Sequence, residues 1–465
     1  MRIIVVGAGY VGLVTGVCLA RTGEHDVTLV ETAPNRLAEL QAGIMPIEEP
    51  GLAAAYAEAG DRVTVVGSLE AAEVPDLVFI AVGTPISDTG ESDLRQLHSA
   101  TTDLRRWPDV DVSVRSTLPP GLSARLPQML GRTDGARLST NPEFLRQGSA
   151  VHDFEHPSRI IFGRFPETTA AHLAVVERVY SAIEAPRLYV DVAAAELIKN
   201  VANGFLALKL SFVNEVAALS EEYGVEVTEV LDGIGLDPRI GSVYMRPGLG
   251  FGGSCLPKEL QVLASAGRRR GLSMHLSRAI SQVNVEQQDR FVRQIVAEIP
   301  KHEGRVGLLG LSFKADTDDL RGSPSLHVAR RLLEEGVVVT AFDPAVRPDR
   351  AVSAAPGLQV ASRPADVFDG ADAVAIGTDW PQFANLPLET LRGRMRYPLL
   401  FDGRGLIAAA DAAAAGFHYR GVGRQPRSPI AAESDQGGAA SAYRLSSPNN
   451  SIDSAASLAM SRRRR

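Results

Sequence analysis

The stretch from Ile3 to Leu13, IIVVGAGYVGL, decides the fold of the first part of the chain. A short apolar run ends at Gly7, and further glycines follow at positions 9 and 12, where a helical pattern opens. Glycines with this spacing permit a tight turn, close approach of the backbone to a pyrophosphate, and tight packing of the helix. The stretch therefore predicts a strand, a phosphate-binding turn and a helix whose N-terminus faces the phosphates.

An acidic residue extends this pattern. Glu31 ends the second apolar run, 19 residues beyond Gly12 (31 − 12 = 19), where a carboxylate can accept hydrogen bonds from an adenosine ribose. Because that carboxylate repels a 2′-phosphate, we expect NAD, while the nearby Arg36 leaves NADP open as an alternative. The other alternative is a Rossmann-like lobe that binds no dinucleotide.

The rest of the chain repeats the alternation of short apolar runs and helical stretches. Such alternation continues to about residue 180 and starts again at Arg305, which predicts parallel sheets with crossover helices. From Val192 to about Tyr223 no proline occurs, so we expect one long helix that links two lobes, packs against a second copy, or lies buried in one domain. We therefore predict an α/β protein with two Rossmann-type, doubly wound parallel-sheet lobes around a long central helix. Its predicted segments are 1–190, a Rossmann domain; 191–300, a central helical and dimerisation region; 301–421, a Rossmann-like domain; and 422–465, a disordered tail.

Composition excludes several classes of protein. The 465 residues include 48 Lys and Arg against 55 Asp and Glu, a net charge of −7, which provides no field for binding nucleic acid. No run approaches the ~20 apolar residues that span a bilayer, and the first apolar run is too short for a secretory signal. The two cysteines are far apart, which favours a reducing compartment. We expect a cytoplasmic protein without nucleic-acid or membrane partners and, since no HExxH or CxxC pattern occurs, without a metal.

Cys255 lies in the glycine-rich stretch RPGLGFGGSCLPKEL. Ser254 is a candidate N-cap for a helix that begins near Leu256, and a thiol there feels the positive end of the helix dipole. We therefore expect a depressed pKa and a nucleophilic thiolate. Cys18, in contrast, falls on the apolar face of the first helix, where a free cysteine serves as a small hydrophobe.

Two polar side chains share one face of the predicted long helix. Lys199 and Asn203 are four residues apart, so an ammonium and a carboxamide can hold one oxygen that gains negative charge during a reaction. Apolar neighbours such as Leu197 and Phe205 indicate that Lys199 is partly buried or lies at a rim. The alternative is an ordinary solvated pair.

Seven separated motifs resemble those of the UDP-glucose/GDP-mannose dehydrogenase family, in the family's order from residue 3 to about 420. They are GAGYVGL, STLPPG from Ser116, NPEFLRQGSA from Asn141, IKNVANGF, FGGSCLPKE, GLSFKADTDDLRGSPS from Gly310, and FDGRG from Phe401. The resemblance implies an NAD-dependent, four-electron oxidation of the C6 hydroxyl of a nucleotide sugar. UDP-glucose is the first candidate substrate, with GDP-mannose or a UDP-N-acetylhexosamine as alternatives, and a homodimer or higher homo-oligomer is implied.

The resemblance also implies roles for individual residues. Cys255 traps the C6 aldehyde as a thiohemiacetal and then carries a thioester, while Arg239 enters the site of the neighbouring subunit. The implied catalytic residues are Cys255, Lys199 and Asn203 at the oxyanion, Glu143 and Thr117 for water and proton movement, and Glu259. The implied cofactor-binding residues are Gly7, Gly9, Tyr10, Val11, Gly12, Glu31, Arg36, Thr84, Thr117, Gln147 and Arg321. The implied substrate-binding residues are Phe144, Leu145, Lys199, Asn203, Arg239, Tyr244, Phe251, Gly252, Lys314 and Arg404.

This chain departs from the family pattern at two positions. Glu259 stands where aspartate is usual, and a shift of about 1 Å in a catalytic carboxylate can cost on the order of a hundredfold in rate. Gln147 stands where glutamate is customary, and an amide cannot accept a proton at neutral pH. Two alternatives therefore stay open: a catalytically impaired paralogue that binds nucleotide sugar or NAD, and a two-electron hydroxyacid dehydrogenase.

Overall fold

The first lobe is built on an eight-stranded sheet. Its strands are β1 (Arg2–Val6), β2 (Asp26–Val30), β3 (Val63–Val66), β4 (Leu77–Ile80), β5 (Asp111–Val114), β6 (Leu138–Thr140), β7 (Ile160–Arg164) and β8 (Arg187–Asp191). The computed structural model describes residues 1–21, 25–87 and 91–429. The spatial order β3-β2-β1-β4-β5-β6-β7-β8 changes direction between β1 and β4, which is where a doubly wound sheet binds its ligand.

Helices cover both faces of this sheet. They are α1 (Tyr10–Arg21), α2 (Pro34–Gln41), α3 (Leu52–Ala59), α4 (Arg95–Asp103), α5 (Leu126–Met129), α6 (Ala150–Glu155) and α7 (Ala170–Arg178). The side chains of β1 alternate between two buried cores, with Ile3 and Val5 on one face and Ile4 and Val6 on the other. A strand covered on both faces must be apolar throughout, which explains the run before Gly7.

One pair of strands departs from the predicted parallel arrangement. β6 and β7 are antiparallel, whereas every other neighbouring pair in this sheet is parallel. The pattern of apolar runs does not reveal β6, because LST offers one large apolar residue, or β8, because RLYVD has a charged residue at each end and does not form a buried apolar run. Because β6 is itself parallel to β5, the loop 141–149 that follows β6 starts at the same sheet edge as Gly7.

Helices form the middle of the chain. They are α8 (Val192–Tyr223), α9 (Val227–Gly235), α10 (Leu256–Arg269) and α11 (His275–Glu298). The predicted long helix is confirmed: Asp191 caps it by accepting from the backbone N of Ala193 at 2.8 Å, and Gly224 ends it with a φ of 71°. Glu196, in its second turn, accepts from the backbone N of Gly121 and of Ser123 at 2.8 and 2.6 Å. These bonds tie the start of α8 to the first lobe.

The second lobe has a six-stranded sheet whose paired strands are all parallel. Its strands are β9 (Arg305–Leu309), β10 (Val338–Phe342), β11 (Gln359–Val360), β12 (Ala373–Ile376), β13 (Leu399–Asp402) and β14 (His418–Gly421), in the order β11-β10-β9-β12-β13-β14. Its helices are α12 (Pro324–Glu334), α13 (Pro348–Ala354), α14 (Leu388–Arg392) and α15 (Ala409–Ala414). The predicted second Rossmann-type lobe is thus present.

The segment after β14 returns to the far end of α8. Val422 is buried, and Gly423 donates its backbone N–H to Glu221 Oε1 at 2.7 Å and accepts from Val227 N at 2.9 Å. The expectation of disorder from residue 422 is therefore wrong for 422–429, because these contacts cannot be seen in composition. The remainder of that predicted tail, 430–465, lies outside the described residues. Within the described ranges, no helix is long and apolar enough to cross a membrane.

Candidate active site

The carboxyl ends of strands from both lobes open into one cleft of about 1700 Å³. The loops after β1, β4, β5 and β6 line it from the first lobe, and those after β9 and β13 line it from the second. Pockets for one small ligand have volumes of roughly 300–1000 Å³. This cleft is therefore large enough for two ligands side by side.

The glycine turn after β1 forms one end of the cleft. Gly7 has a φ of +95°, which L side chains rarely adopt, and a Cβ on Gly12 would stand 1.8 Å from the Gly7 carbonyl oxygen. A Cβ on Gly9 would meet only open space, so the backbone there is free to approach a ligand. This is the division of roles that a pyrophosphate at a helix N-terminus requires, and the residues fit a bound dinucleotide.

The acidic residue at the end of β2 is already held in place. One carboxylate oxygen of Glu31 accepts from the backbone N of Ala33 at 2.8 Å, and the other from Arg36 Nη1 at 3.3 Å. Glu31 is buried, while lone pairs left on its oxygens can still accept from a ribose. Arg36 is thus engaged with the carboxylate, and this favours NAD over a cofactor with a 2′-phosphate.

Glu49 is a buried carboxylate that the sequence analysis missed, and it contacts cleft residues without lining the cleft itself. It is buried, and its oxygens accept from the backbone N of Gly148 and of Ala150, each at 2.7 Å, and from the hydroxyl of Tyr10. Burial raises the pKa of that tyrosine, and Glu49 raises it further. The glycine turn and the loop after β6 are therefore joined through one side chain. No motif indicates it, because Glu49 lies in a loop without a repeating pattern.

Cys255 is at the start of α10, and its side chain is accessible from the cleft. Cys255 itself is the N-cap residue, so the prediction of Ser254 as the cap is wrong by one position; the Ser254 hydroxyl instead lies 3.7 Å from the Cys255 sulfur. The predicted depression of the thiol pKa is also wrong. The sulfur is open to the cleft but is surrounded by protein atoms, and this partial removal from water raises the pKa of the thiol. Glu143 raises the pKa as well, and the lowering effects of Lys199 and Ser254 offset the rise only in part.

Lys199 and Glu143 form a buried ion pair beside this thiol. The distance from Lys199 Nζ to Glu143 Oε1 is 2.9 Å, and each side chain is 6% exposed. Burial alone would raise the pKa of Glu143 and lower that of Lys199, but their mutual attraction reverses both shifts. Lys199 is therefore buried and charged. Its apolar neighbours Leu197 and Phe205 are exposed, so they are not what buries it.

Two charged residues follow Cys255 on the first turn of α10. Glu259 is 1% exposed, and no described residue donates to its Oε2. Burial raises the pKa of Glu259, against the opposing effects of Lys258 and Lys199. Lys258 Nζ donates to Thr84 Oγ1 at 2.8 Å, and Thr84 donates to the Thr117 carbonyl at 2.8 Å. Lys258, which the sequence analysis did not single out, thus joins the cysteine turn to the cofactor side.

The second lobe supplies cations to the opposite wall. Arg404 Nε donates to the Gly377 carbonyl at 2.8 Å, and burial lowers its pKa. Lys314 donates to the Gln147 carbonyl, and burial lowers its pKa as well. Arg321 forms a two-bonded pair with Asp319 and has a side chain that is 65% exposed. This wall can therefore receive an anionic ligand.

Most residues predicted for the site line this one cleft. Those that do are Gly7, Gly9, Tyr10, Val11, Glu31, Arg36, Thr84, Thr117, Glu143, Phe144, Leu145, Gln147, Lys199, Asn203, Tyr244, Phe251, Gly252, Cys255, Glu259, Lys314, Arg321 and Arg404. Gly12 lies behind the turn, where it packs on Gly7. Arg239 does not line the cleft; it is exposed and paired with Asp237. In the described part of the chain, no three His, Cys, Asp or Glu residues form a possible metal site.

Comparisons with known proteins identify the family. Three models of the UDP-glucose/GDP-mannose dehydrogenase family match: the NAD binding domain over residues 1–184, the central domain over 193–286, and the UDP binding domain over 307–409. A UDP-glucose 6-dehydrogenase of Pseudomonas aeruginosa is 39% identical in an alignment of 447 positions that covers 91% of this chain and 98% of the relative.

Two solved structures are also similar. A UDP-glucose dehydrogenase from Pyrobaculum islandicum has a TM-score of 0.81 and 36% identity, covering 91% of this chain and 98% of that one. A UDP-D-ManNAc dehydrogenase from Pyrococcus horikoshii has a TM-score of 0.80 and 27% identity, covering 91% and 99%. The chain therefore belongs to the UDP-glucose/GDP-mannose dehydrogenase family and is an NAD-dependent nucleotide-sugar 6-dehydrogenase.

Proposed function

We propose that the chain oxidises the C6 hydroxyl of UDP-glucose to the carboxylate in two successive oxidations: the first forms the C6 aldehyde, and the second converts the thiohemiacetal of that aldehyde with Cys255 into a thioester. Relatives and a solved structure named UDP-glucose 6-dehydrogenase or UDP-glucose dehydrogenase, at 35–39% identity, support this substrate. The similar UDP-D-ManNAc dehydrogenase keeps a UDP-N-acetylhexosamine as a second candidate. The glycine turn would hold NAD⁺, which would supply the hydride acceptor for each oxidation.

The accessible sulfur of Cys255 carries this proposal. The sulfur lies at the N-terminus of α10, in the same cleft as the glycine turn and beside the Lys199–Glu143 pair. Because burial raises the pKa of the thiol, it attacks an aldehyde best when a neighbouring group takes its proton. A two-electron hydroxyacid dehydrogenase would have no use for a thiol in this position.

The ion pair supplies the electrostatic part of the chemistry. A buried ammonium at Lys199, four residues from the Asn203 carboxamide on the same face of α8, can stabilise the oxyanion that forms at C6. Glu143 keeps Lys199 charged and oriented. Thr117, on the cofactor side of the cleft, would assist proton movement near the reacting carbon.

Release of the acid requires water at the thioester. Glu259 has a buried carboxylate oxygen with no partner among the described residues, and burial raises its pKa toward the range in which a carboxyl is an effective general base. We infer that this longer side chain orients the hydrolytic water in place of the usual aspartate.

A homodimer is part of this proposal. Six large apolar side chains share one face of α8, between 46% and 77% exposed: Leu197, Val201, Phe205, Phe212, Leu219 and Tyr223. An exposed apolar stripe of this length indicates a protein partner, and a second copy would cover it. The same contact would bring Arg239, which does not line its own cleft, to the cleft of the neighbouring subunit.

NADH production tests the function directly. The purified chain should form two NADH per UDP-glucose, and parallel assays with UDP-GlcNAc, UDP-ManNAc and GDP-mannose identify the preferred sugar. Cys255→Ser should abolish acid formation, whereas the control Cys18→Ala, at a buried position outside the cleft, should keep the stoichiometry. One NADH per sugar with a fully active Cys255→Ser variant would refute the covalent mechanism.

A further inference from the structure

The loop that carries Cys255, residues 246–255, contains no helix or strand. Gly248, Leu249 and Phe251 within it are nevertheless buried. Buried backbone N–H and C=O groups that lack a strand partner must be paired by other groups. The position of the sulfur therefore depends on what holds this backbone.

Helix α11 has three buried amide side chains, those of Asn284, Gln287 and Gln288, and residues three and four positions apart share one helix face. Gln287 Nε2 donates to the Gly248 carbonyl at 2.9 Å. Asn284 pairs with both backbone groups of one residue: its Oδ1 accepts from Phe251 N at 2.8 Å, and its Nδ2 donates to the Phe251 carbonyl at 3.0 Å. The amide of Asn284 therefore replaces the neighbouring strand that the loop lacks.

Gly250 permits this close contact. It has a φ of +105°, and a Cβ there would stand 2.4 Å from Asn284 Oδ1, closer than two such atoms can approach. The ring of Phe251 is held as well, because it is buried in an apolar cluster with Ile280 of α11. Phe251 is therefore fixed through both its backbone and its side chain, on the same loop as the reactive thiol.

We propose that Asn284 is a positioning residue that acts through the Phe251 backbone to hold the Cys255 sulfur where it can add to the C6 aldehyde. The inference rests on the proposed function for that covalent step. In the step the sulfur bonds to C6 and the thiol proton passes to the aldehyde oxygen. The thiohemiacetal then loses a hydride to NAD⁺ and its hydroxyl proton to solvent. Asn284 does not line the cleft, so it acts on the thiol only through the loop.

The two oxidations should depend on Asn284 to different extents. The first converts the hydroxyl to the aldehyde without a bond to sulfur, whereas the second needs the thiohemiacetal. A displacement of about 1 Å in a reacting group can cost on the order of a hundredfold in rate. Loss of the two hydrogen bonds to Phe251 should therefore slow the second oxidation and spare the first.

A single-turnover experiment separates the two oxidations. Enzyme in excess over UDP-glucose, or over the sugar that the substrate screen prefers, is mixed with saturating NAD⁺, and NADH is followed by absorbance. In Asn284→Ala, which removes both hydrogen bonds, the first NADH should form at nearly the unsubstituted rate, and the second should form on the order of a hundredfold more slowly. The Kd for NAD⁺, measured by calorimetry without sugar, should not change.

A second variant disturbs the same contact from the loop. Gly250→Ala places a methyl group against Asn284 Oδ1 and strains the positive φ, so it should also slow the second NADH selectively, and it carries the test if Asn284→Ala does not fold. The control His172→Leu lies outside the cleft and removes two buried hydrogen bonds, with Asp111 at 2.8 Å and with Ser139 at 2.9 Å. It should lower stability without touching the loop, and the ratio of the two rates should stay that of the unsubstituted chain.

The outcomes are distinct. Selective slowing of the second NADH in Asn284→Ala, or in Gly250→Ala where the first variant does not fold, would support the inference if the control keeps the unsubstituted ratio. Equal slowing of both oxidations, a second NADH at the unsubstituted rate, or the same selective slowing in His172→Leu would overturn it. A single NADH per sugar from the unsubstituted chain would instead refute the proposed function, and this inference with it.

Discussion

Breaking the buried pair between Lys199 and Glu143 should destabilise the chain more than most surface substitutions. The two charged atoms are 2.9 Å apart and each side chain is 6% exposed. At an effective dielectric constant of about 20, this separation corresponds to an attraction of about 6 kcal/mol. Desolvation cancels much of that gain, but removing one partner leaves an uncompensated charge at a cost of about 3–5 kcal/mol.

A double-mutant cycle measures this coupling. Glu143→Gln and Lys199→Met should each lower the free energy of unfolding by about 3–5 kcal/mol, measured by urea denaturation at pH 7 and one fixed protein concentration. The free energy of unfolding of the double variant should fall by less than the sum of the two single losses, by a margin of at least about 1 kcal/mol, because neither charge is then left unpaired. Additive losses, or single losses below about 1 kcal/mol, would show that the pair is not coupled in a water-poor site.

The same cycle has a defined pH dependence. The pKa of Glu143 is lowered on folding, so its contribution is present above the unfolded value of about 4.3 and is lost as the pH falls through the folded pKa. The pKa of Lys199 is raised, so its contribution is present below about 10.4 and is lost as the pH rises through the folded pKa. The contribution of the pair to the stability of the unsubstituted chain should therefore be flat from about pH 5 to pH 10. In Glu143→Gln, burial acts on Lys199 without the opposing charge of Glu143, so the pKa of Lys199 should fall and the stability difference between the two proteins should shrink toward the alkaline end of this range.

Three further predictions concern single residues. The pH midpoint for alkylation of Cys255 by iodoacetamide should lie above the ordinary thiol value of about 8.5, because burial raises the pKa of the thiol. The midpoint should fall in Glu143→Gln, because this variant removes a negative charge that raises the thiol pKa. The same midpoint in Glu143→Gln and in the unsubstituted chain would contradict this reasoning. Gly12→Val should abolish NAD⁺ binding in calorimetry, because even a Cβ would stand 1.8 Å from a backbone oxygen. His172→Leu should lower the free energy of unfolding by about 2–4 kcal/mol, since it leaves the buried Asp111 without a 2.8 Å partner; a urea curve that matches the unsubstituted one would refute it.

Local patterns were sufficient for most of the elements and for most of the cleft. The boundaries predicted for α8 agree with the observed Val192–Tyr223, because a capping aspartate and a terminal glycine stand directly beside a long unbroken helical pattern. Most of the residues that line the cleft were implied by the resemblance of separate motifs to one family, and they meet in one cleft because parallel strands deliver their carboxyl ends to one edge. A motif at the end of each strand therefore places its side chains there.

What could not be predicted depends on contacts between distant segments. The pKa of the Cys255 thiol was predicted with the wrong sign, because the helix N-terminus is visible in the sequence while burial and the carboxylate of Glu143 are not. Arg36 seemed available to a 2′-phosphate until its pairing with Glu31 was seen. Lys258 escaped notice because its partner, Thr84, lies 174 residues away.

The anchoring of α8 limits how ligands can enter and leave. Its first turns are tied to the first lobe through Glu196, and its last turn receives Gly423 of the second lobe on Glu221. Its 32 residues form a helix about 48 Å long. Neither end can separate from its lobe without breaking hydrogen bonds to buried or half-buried carboxylates. The lobes are therefore not free to slide apart lengthwise. An opening that admits substrate and releases product is therefore expected to turn the lobes about α8, across wall contacts such as that of Lys314 with the Gln147 carbonyl.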